Sequence, residues 1–307
     1  MNSSASMLPS DSLLPLWSEL DRQSFPERAL YVVATPIGNV ADISLRAIRV
    51  LSLMDAIGCE DTRNTGQLMA RLGLSKSLFS AHQHNERETA QKIIERLRAG
   101  ERIALVSDAG TPAVSDPGTK IVDAVLDAGF QVIPVPGSSA AIAALSVSGL
   151  DTDQFHFIGF LPAKSSQREQ LLTGLTTSTA CLVFYEAPHR IAESLQALLN
   201  VFGSERRIVI AREISKLFEQ VHRCRLGEAL DWLNSDINHQ RGEFVLLVEG
   251  QSAPSDKSLT DTRHVLQVLL EELPVSQAAA LAAKITGMKK NSLYQLALEM
   301  RSQEDAK

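Results

Sequence analysis

Short apolar runs alternate with longer amphipathic stretches along the first half of the chain. Each run is four or five residues long and rich in Val, Ile, Leu or Ala, which is typical of a buried strand. The runs lie at residues 30–34, 56–59, 78–81, 103–106 and 132–135. The amphipathic stretch 87–98 is followed by Gly100, a common helix end. This repetition of strand, loop and helix predicts a doubly wound parallel sheet.

The second half of the chain repeats the pattern and then changes. Strands are predicted at 155–161, 181–185, 207–211 and 244–248. Residues 252–258 have the composition of a linker, and helical patterns follow at 259–273, 277–286 and 292–301. The sequence therefore predicts a mobile N-terminal extension at 1–28, an N-terminal α/β lobe at 29–148, a C-terminal α/β lobe at 149–252 and a small helix-turn-helix-like domain at 258–302.

Residues 107–118 form the most distinctive loop. They follow the predicted strand 103–106 and contain two glycines and two prolines, which do not continue a strand. Asp116 and Pro117 have the types preferred for a helix N-cap and a first helical residue, so a helix is predicted over 120–128. A strand-to-helix loop lies at the carboxyl edge of a parallel sheet, where open α/β folds bind ligands. We therefore predict a ligand site here rather than a plain connecting loop.

Composition narrows the function classes only in part. The formal net charge of -6 argues against indiscriminate coating of nucleic acid, although it allows a local basic groove. No apolar run approaches the length of a membrane-spanning helix, and the first residues lack the pattern of a secretion signal, so we expect a cytoplasmic protein without a membrane partner. Cys59, Cys181 and Cys224 are too widely spaced for a zinc site or a disulfide framework, and no metal is predicted.

The usual phosphate-binding motifs are absent from the sequence. Neither G-x-G-x-x-G after the first strand nor G-x-x-x-x-G-K occurs. The strand ends carry small residues instead, at 36–38, 110–112 and 137–139, and these allow the backbone to approach a ligand closely. Such loops suit a ligand with adenosine-like edges and little negative charge.

Six motifs in one order along residues 30–302 closely resemble the small-subunit ribosomal RNA methyltransferase I family of the tetrapyrrole methylase superfamily. They are Val33-Ala34-Thr35-Pro36-Ile37-Gly38-Asn39, Glu60-Asp61-Thr62-Arg63, Ser107 to Gly118, Phe184-Tyr185-Glu186 with His189-Arg190, Ala211-Arg212-Glu213 and Gly242-Glu243-Phe244-Val245-Leu246. The resemblance implies two α/β lobes with S-adenosylmethionine held between them, and a small C-terminal helical domain. It further implies methylation of a cytidine 2'-hydroxyl in small-subunit (16S) ribosomal RNA, free or in the 30S subunit, by a homodimer.

The resemblance also implies which residues contact the methyl donor. These are Pro36, Ile37, Gly38, Asp108, Ala109, Gly110, Thr111, Val114, Ser139, Ala140 and Glu186. The superfamily's Gly-Gly-Asp-Pro core falls on residues 109–112, so Thr111 stands where other members have Asp. Two interpretations of the neighbouring Asp108 stay open: it supplies the missing carboxylate, or it braces the loop by hydrogen bonds to nearby amides.

Methyl transfer to a hydroxyl needs alignment and benefits from a base. The catalytic candidates are Glu60, Asp61, Arg63 and Glu213, and the wider set of predicted strand-end groups adds His82, Glu186 and His189. For each acid the alternative is a salt bridge to a nearby arginine, such as Asp61 with Arg63 or Glu213 with Arg212.

An RNA partner requires positive surface, which an acidic chain must concentrate. The predicted RNA contacts are Lys164, Arg168, Arg190, Lys289 and Lys290. The alternative for the C-terminal helices is a bundle with a purely structural role.

Two other functions remain open from the sequence. One is a methylase of the same superfamily that acts on a tetrapyrrole-like small molecule. The other is a non-catalytic module that senses the donor. Transfer of a methyl group to RNA would distinguish the predicted enzyme from both.

Overall fold

The computed structural model describes residues 14–82, 85–251 and 257–304. The chain divides into two compact units, Met1–Gly250 and Gln251–Lys307. The predicted N-terminal lobe and residues 149–250 of the predicted C-terminal lobe fall in the first unit, and the predicted helical domain falls in the second. Most of the predicted linker lies outside the described residues. The boundary between the lobes at 148 and 149 stays a prediction.

The first unit begins with a five-stranded sheet that is parallel throughout. Its strands are β1 (Ala29–Val33), β2 (Ala56–Cys59), β3 (Ser77–Ser80), β4 (Ile103–Val106) and β5 (Gln131–Val135). Their order is β3-β2-β4-β1-β5. Because β4 and β1 occupy central positions, the loops that follow them lie side by side at the carboxyl edge. The predicted parallel sheet is confirmed for this half.

Helices cover both faces of the first sheet. They are α2 (Leu45–Leu53), α3 (Thr62–Arg71), α4 (Glu86–Arg98) and α5 (Thr119–Asp127), while the first helix, α1 (Leu14–Asp21), contacts α2. Tyr31 faces a core that includes residues of α2 and α3, whereas the adjacent Leu30 faces a core formed with α4 and α5. Successive strand residues point to opposite faces, so a run of buried residues such as Leu30 and Tyr31 indicates a sheet covered on both sides.

A second five-stranded sheet follows, and it is mixed rather than parallel. Its strands are β6 (Phe155–Phe160), β7 (Cys181–Glu186), β8 (Arg207–Arg212), β9 (Gln220–Arg225) and β10 (Phe244–Val248), in the order β6-β7-β10-β8-β9. Only the β6–β7 pair is parallel among these neighbours. The predicted α/β class is confirmed for this half too, although its sheet is mixed where the first is parallel. The turn from β8 to β9 is too short for a parallel crossover, and β10 inserts antiparallel between β7 and β8.

The last helix before the second sheet packs on that sheet. This helix, α6 (Ala140–Ser148), places Ala141, Ala144 and Leu145 against Val183 and Val209. The opposite face carries α7 (Ser165–Gly174), α8 (Ile191–Phe202) and α9 (Leu226–Ser235). Although α6 lies within the predicted N-terminal lobe, its buried surface belongs to the core of the second sheet.

Two local predictions differ from the structure. Residues 14–21 of the predicted mobile extension form α1, whose Leu20 is 6% exposed and whose Asp21 pairs with Arg49 at 2.9 Å; residues 1–13 lie outside the described residues. Asp116 does not cap α5, because the helix begins at Thr119 and Gly118 occupies the N-cap position. The Gly118 amide donates instead to the Glu86 carboxylate at 2.7 Å.

The second unit is a three-helix bundle with a small-residue core. Its helices are α10 (Lys257–Glu272), α11 (Val275–Thr286) and α12 (Lys290–Glu304). Leu266, Ala279, Ala282, Leu293 and Ala297 are fully buried between them. Gly287 has a φ of 72° and ends α11, so the turn to α12 is short. None of the described helices of the protein is long and apolar enough to cross a membrane.

Candidate active site

A cleft of about 440 Å³ opens between the two sheets of the first unit. On one side it is bounded by the loops that follow β1, β4 and β5, and on the other by the end of β7, the turn after β8 and the start of β10. The lining residues are Ile37, Ala109, Gly110, Thr111, Val114, Ser115, Asp116, Ser139, Ala140, Phe160, Tyr185, Glu186, Ala187, Pro188, His189, Ile214, Lys216, Glu243, Phe244 and Val245. Neither sheet forms the cleft alone.

The floor of the cleft is held by a bridge between two loops. The Thr35 amide donates to the Gly110 carbonyl at 2.8 Å, and the Gly110 amide donates back to the Thr35 carbonyl at 3.1 Å. The Thr35 hydroxyl adds a hydrogen bond to the Ser107 carbonyl at 3.1 Å. Thr35 is 2% exposed, so water competes little for these bonds. Gly110 has a φ of 76°, a conformation that favours glycine.

Beyond Gly110 the central loop contains two strained residues. Ala113 and Ser115 have φ values of 66° and 61°, and such conformations cost on the order of 1–3 kcal/mol each in non-glycine residues. A Cβ built on Gly159 of β6 would lie 2.7 Å from the Ser115 hydroxyl oxygen. The loop therefore reaches the second sheet at a position where a larger residue would not fit.

Most of the predicted donor contacts line this cleft. They are Ile37, Ala109, Gly110, Thr111, Val114, Ser139, Ala140 and Glu186. Pro36, Gly38 and Asp108 lie outside the lining. Gly38 has a different part in the structure, because a Cβ there would overlap the Lys216 side chain that crosses it from the second half.

Asp108 is used by the loop itself. One carboxylate oxygen accepts a hydrogen bond from the Asp61 amide at 3.1 Å, and the other accepts one from the Asn64 side chain at 2.8 Å. This geometry favours the loop-bracing interpretation. At the superfamily's Asp position, the Thr111 hydroxyl donates to the Ser138 carbonyl at 3.4 Å and so connects the central loop to the start of α6.

Asp61 and Arg63 form the salt bridge that was the alternative to a catalytic role. Asp61 is the N-cap of α3 and accepts from the Arg63 amide at 2.8 Å. The Arg63 guanidinium also donates to both carboxylate oxygens, at 3.2 and 2.8 Å. Hydrogen bonds from Arg63 lower the pKa of Asp61 to about 2. The Arg63 side chain is 86% exposed and does not line the cleft.

Glu213 is paired as well, but with a different partner from the expected Arg212. Its carboxylate accepts from Lys216 Nζ at 2.8 Å and from the Glu243 amide at 3.0 Å. Burial alone would raise the pKa of Glu213, but these hydrogen bonds and the positive charge of Lys216 hold it below its ordinary value. Lys216 lines the cleft and also pairs with the Glu243 carboxylate at 3.1 Å.

Glu186 belongs to the cleft lining, but its carboxylate is not exposed to the cleft. Its side chain is fully buried and accepts hydrogen bonds from the Ala187 amide at 2.9 Å and from the Ser194 hydroxyl. Arg190 lies 3.5 Å from the same carboxylate and donates to the Leu161 carbonyl. Arg190, predicted as an RNA contact, is therefore largely engaged in holding the loop after β7.

The other predicted RNA contacts of the first unit differ in exposure. Lys164 is exposed at the start of α7. Arg168 is 5% exposed, pairs with Glu193 at 3.3 Å and lies 3.5 Å from the Pro162 and Ala163 carbonyls. The burial of Arg168 argues against the predicted RNA contact, because its charge is not available at the surface.

Tyr185 and Asp116 are among the lining residues that were not predicted as site residues from the sequence. Tyr185 stacks edge-on against Phe157 and Phe160, at centroid distances of 5.0 and 5.8 Å. Tyr185 belongs to the Phe184-Tyr185-Glu186 motif, but no sequence feature indicated that its side chain lines the cleft. Asp116 was interpreted as a helix cap, whereas the structure places it in the lining. The candidate Glu60 lies near it outside the lining, and burial together with the negative charge of Asp108 raises the pKa of Glu60.

These features fit a methyl donor with a neutral, adenosine-like body. Backbone groups at Ala109, Gly110 and Ala140 can approach it closely because their side chains are small or absent. Apolar and aromatic groups such as Ile37 and Tyr185 cover the rest. The lining carries both charge signs, with the one lysine among its residues held by two glutamates.

Comparison with known proteins agrees with this architecture. The profile of the tetrapyrrole (corrin/porphyrin) methylases matches residues 29–230, and that of the RsmI C-terminal HTH domain matches residues 256–301. A uroporphyrin-III-C-methyltransferase structure from Thermus thermophilus aligns with a TM-score of 0.53 at 21% identity, covering 72% of this chain and 94% of that one. A cobalt precorrin-4 methyltransferase aligns with a TM-score of 0.55 at 14% identity, covering 72% and 95%. At these identities the structures show the fold alone.

Curated relatives match almost the whole chain. The ribosomal RNA small subunit methyltransferase I of Pseudomonas aeruginosa is 52% identical over 272 residues, which are 88% of this chain and 96% of that protein. The protein of the same name from Vibrio cholerae is 47% identical over 282 residues, 91% of this chain and 98% of that one. With both units and the cleft between the sheets in place, the chain belongs to the ribosomal RNA small subunit methyltransferase I family of tetrapyrrole methylases.

Proposed function

We propose that this protein transfers a methyl group from S-adenosylmethionine to small-subunit (16S) ribosomal RNA. The observation that carries the proposal is the continuous match to relatives of that name over both units. The solved tetrapyrrole methyltransferases cover 72% of the chain, whereas the C-terminal helices match a domain described for the RNA enzyme. The working compartment is then the cytoplasm, where small subunits are present.

The bound donor supplies an activated methyl group on a cationic sulfur. The protein's contribution is to bind and orient it. The Thr35–Gly110 bridge fixes the floor, while Tyr185 and Phe160 present aromatic surface from the second sheet. Holding the donor and an acceptor hydroxyl in line is worth on the order of 7–11 kcal/mol in favourable cases. The acceptor in this proposal is a cytidine 2'-hydroxyl.

A tetrapyrrole-like small molecule is the second candidate acceptor. The feature that favours it over RNA is the acidic balance of the chain, with a formal net charge of -6. The carboxylates of Glu60, Asp108 and Asp116 beside the central loop would repel an RNA phosphate, but they would also repel the carboxylates of a tetrapyrrole precursor. In the RNA proposal these carboxylates face the ribose and base, and the phosphates lie on basic groups elsewhere.

Basic groups for such contacts are present on the second unit. Lys284 lies in the last turn of α11, and Lys289 and Lys290 lie at the turn before α12; all three are exposed. The short turn at Gly287 keeps these charges close together in sequence and in space. We infer that they bind phosphates and contribute affinity that is independent of sequence.

We also infer that the protein acts as a homodimer through the edge of the second sheet. Leu217 is 88% exposed and Phe218 is 67% exposed just before the edge strand β9, whose Val221 is 42% exposed. Val221 pairs with Ala211, which packs on α6, and α6 exposes Ile142 at 53%. Edge strands and large exposed apolar groups favour self-association.

The direct test of the function uses purified protein and methyl-labelled donor. It compares isolated small subunits, naked 16S RNA and a tetrapyrrole precursor as acceptors. The proposal predicts label in RNA that digests to 2'-O-methylcytidine. Label only in the tetrapyrrole would support the second candidate, and donor binding without any transfer would support a sensor.

Donor binding should depend on Gly110. Gly110→Leu forces a side chain into the cleft from a left-handed backbone position, so we expect affinity for S-adenosylhomocysteine to fall at least 100-fold in titration calorimetry. Gly129→Leu is the matched control, because Gly129 has a φ of 79° but no neighbour within 4 Å of a built Cβ. Equal affinities of the two variants would reject the cleft as the donor site.

RNA affinity should depend on the turn of the second unit. Removing two phosphate contacts with Lys289→Ala and Lys290→Ala should reduce the slope of log Kd against log salt by roughly 1–2. Donor affinity should not change. Lys92→Ala with Arg98→Ala removes two exposed charges from α4 and serves as the control. A slope that falls equally in both double variants would contradict the RNA contact.

The dimer can be tested by light scattering at micromolar concentration. Placing charges in the apolar patch with Leu217→Glu and Phe218→Glu should convert the wild-type dimer into a monomer. Ile237→Glu is the control, since Ile237 is 64% exposed and is separated in sequence from β9 by the whole of α9. A wild-type monomer mass would end the proposal.

A further inference from the structure

Asp116 occupies an unusual position among the acids around the cleft. It lies in the lining, at the outer end of the central loop, two residues before the Gly118 N-cap of α5. The left-handed conformations of Ala113 and Ser115 turn the loop back on itself just before it. The Ala113 amide then bonds the Pro117 carbonyl at 3.3 Å. This turn brings the Asp116 carboxylate close enough to the Ser107 hydroxyl at the loop's start to affect its pKa, while that hydroxyl also donates to the Ala109 carbonyl at 3.1 Å.

Except for Glu60, which lies outside the lining, the other carboxylates near the cleft are already engaged. Both oxygens of Asp108 accept hydrogen bonds from protein donors. Asp61 is paired with Arg63, and Glu213 and Glu243 share Lys216. The Glu186 carboxylate is fully buried behind the lining. Asp116 differs from them because, among the described residues, no Lys, Arg or His nitrogen forms a salt bridge with its carboxylate, although Lys216 and His189 share the lining.

The surroundings of Asp116 also set its protonation. Burial raises the pKa of Asp116 to about 6, and the negative charges of Glu60 and Asp108 also raise it. The interaction with the Ser107 hydroxyl lowers the pKa and offsets part of this increase. Further titratable or charged groups of the cleft are Tyr185, Glu186, His189, Lys216 and Glu243. A carboxylate with a pKa near 6 is ionised at neutral pH and accepts a proton more readily than one near 4.

We propose that Asp116 is the catalytic base that takes the proton of the acceptor hydroxyl during methyl transfer. In this step a bond forms between the hydroxyl oxygen and the donor's methyl carbon, and the carbon–sulfur bond breaks with its electron pair remaining on sulfur. The hydroxyl proton passes to the Asp116 carboxylate, which later releases it to water. The proposal rests on the proposed function.

Asp116→Asn in the full chain tests the assignment. Asparagine keeps the size of the side chain and an acceptor for Ser107 but does not take up a proton. We expect the affinity for S-adenosylhomocysteine to stay within about threefold, while the single-turnover rate on the RNA substrate at pH 8 falls about 100- to 10,000-fold. Asp123→Asn, an exposed carboxylate on α5, should retain the wild-type rate.

The pH dependence gives a second readout. Because the ionised form is the base, the wild-type rate should rise tenfold per pH unit up to about 6 and level off above it. A carbon-13 spectrum of aspartate-labelled protein should show a carboxyl that titrates near pH 6 without substrate and is absent from Asp116→Asn. Asp116→Glu, which keeps the carboxylate, should recover part of the lost rate.

Several results would overturn the assignment. The first is an undiminished rate in Asp116→Asn, and the second is a loss of donor binding in that variant large enough to account for its slower rate. The third is the absence from the wild-type spectrum of an aspartate that titrates between pH 5 and 7. The fourth is a His189→Asn variant whose rate no longer depends on pH. If Asp116→Asn does not fold, the wild-type titration and the Asp116→Glu rate decide. Wild-type protein that binds donor but methylates no RNA would contradict the proposed function, whereas the carboxyl titration would still report on Asp116.

Discussion

The Thr35–Gly110 bridge is the interaction on which the cleft depends. It joins the loops after β1 and β4 through two backbone hydrogen bonds in a buried position. Gly110 carries the left-handed conformation that lets its amide and carbonyl face Thr35. Without the bridge, two loops of small residues would be free to move independently, and the backbone groups that line the floor would have no fixed spacing. A floor made of backbone needs this rigidity, since it has few side chains to adapt to a ligand.

The two halves of the first unit approach each other closely beside the cleft, at positions that are occupied by glycine. Lys216 crosses Gly38, and Ser115 meets Gly159. Helix α6 reinforces this arrangement, because it starts at the cleft and buries its apolar face on the second sheet. Glu213 and Glu243 hold the Lys216 amine at the same boundary. Packing, polar pairing and cleft shape are consequently coupled in one region.

Local patterns predicted the strand-end loops, because buried strands and small-residue loops have clear local signatures, and the family resemblance supplied eight residues of the cleft lining. Features set by distant contacts were not predicted. The Gly118 amide is satisfied by Glu86 from another helix, so Asp116 is free of the capping role that its sequence suggested. Strand β9 alternates half-buried and exposed residues without an apolar run. The antiparallel insertion of β10 depends on pairing partners far away in sequence. Arg168 is likewise paired with Glu193, which lies 25 residues away in sequence, so a local cluster of basic residues does not indicate this pairing.

The central claim is that one cleft, built jointly by the two sheets, binds the methyl donor. A crystal structure of the protein with S-adenosylhomocysteine would test it most directly. The account predicts the ligand against Ile37, Gly110 and Ala140 on one side and Tyr185 and Val245 on the other, with the Thr35–Gly110 bridge intact. A ligand bound elsewhere, or one that contacts a single sheet, would contradict it.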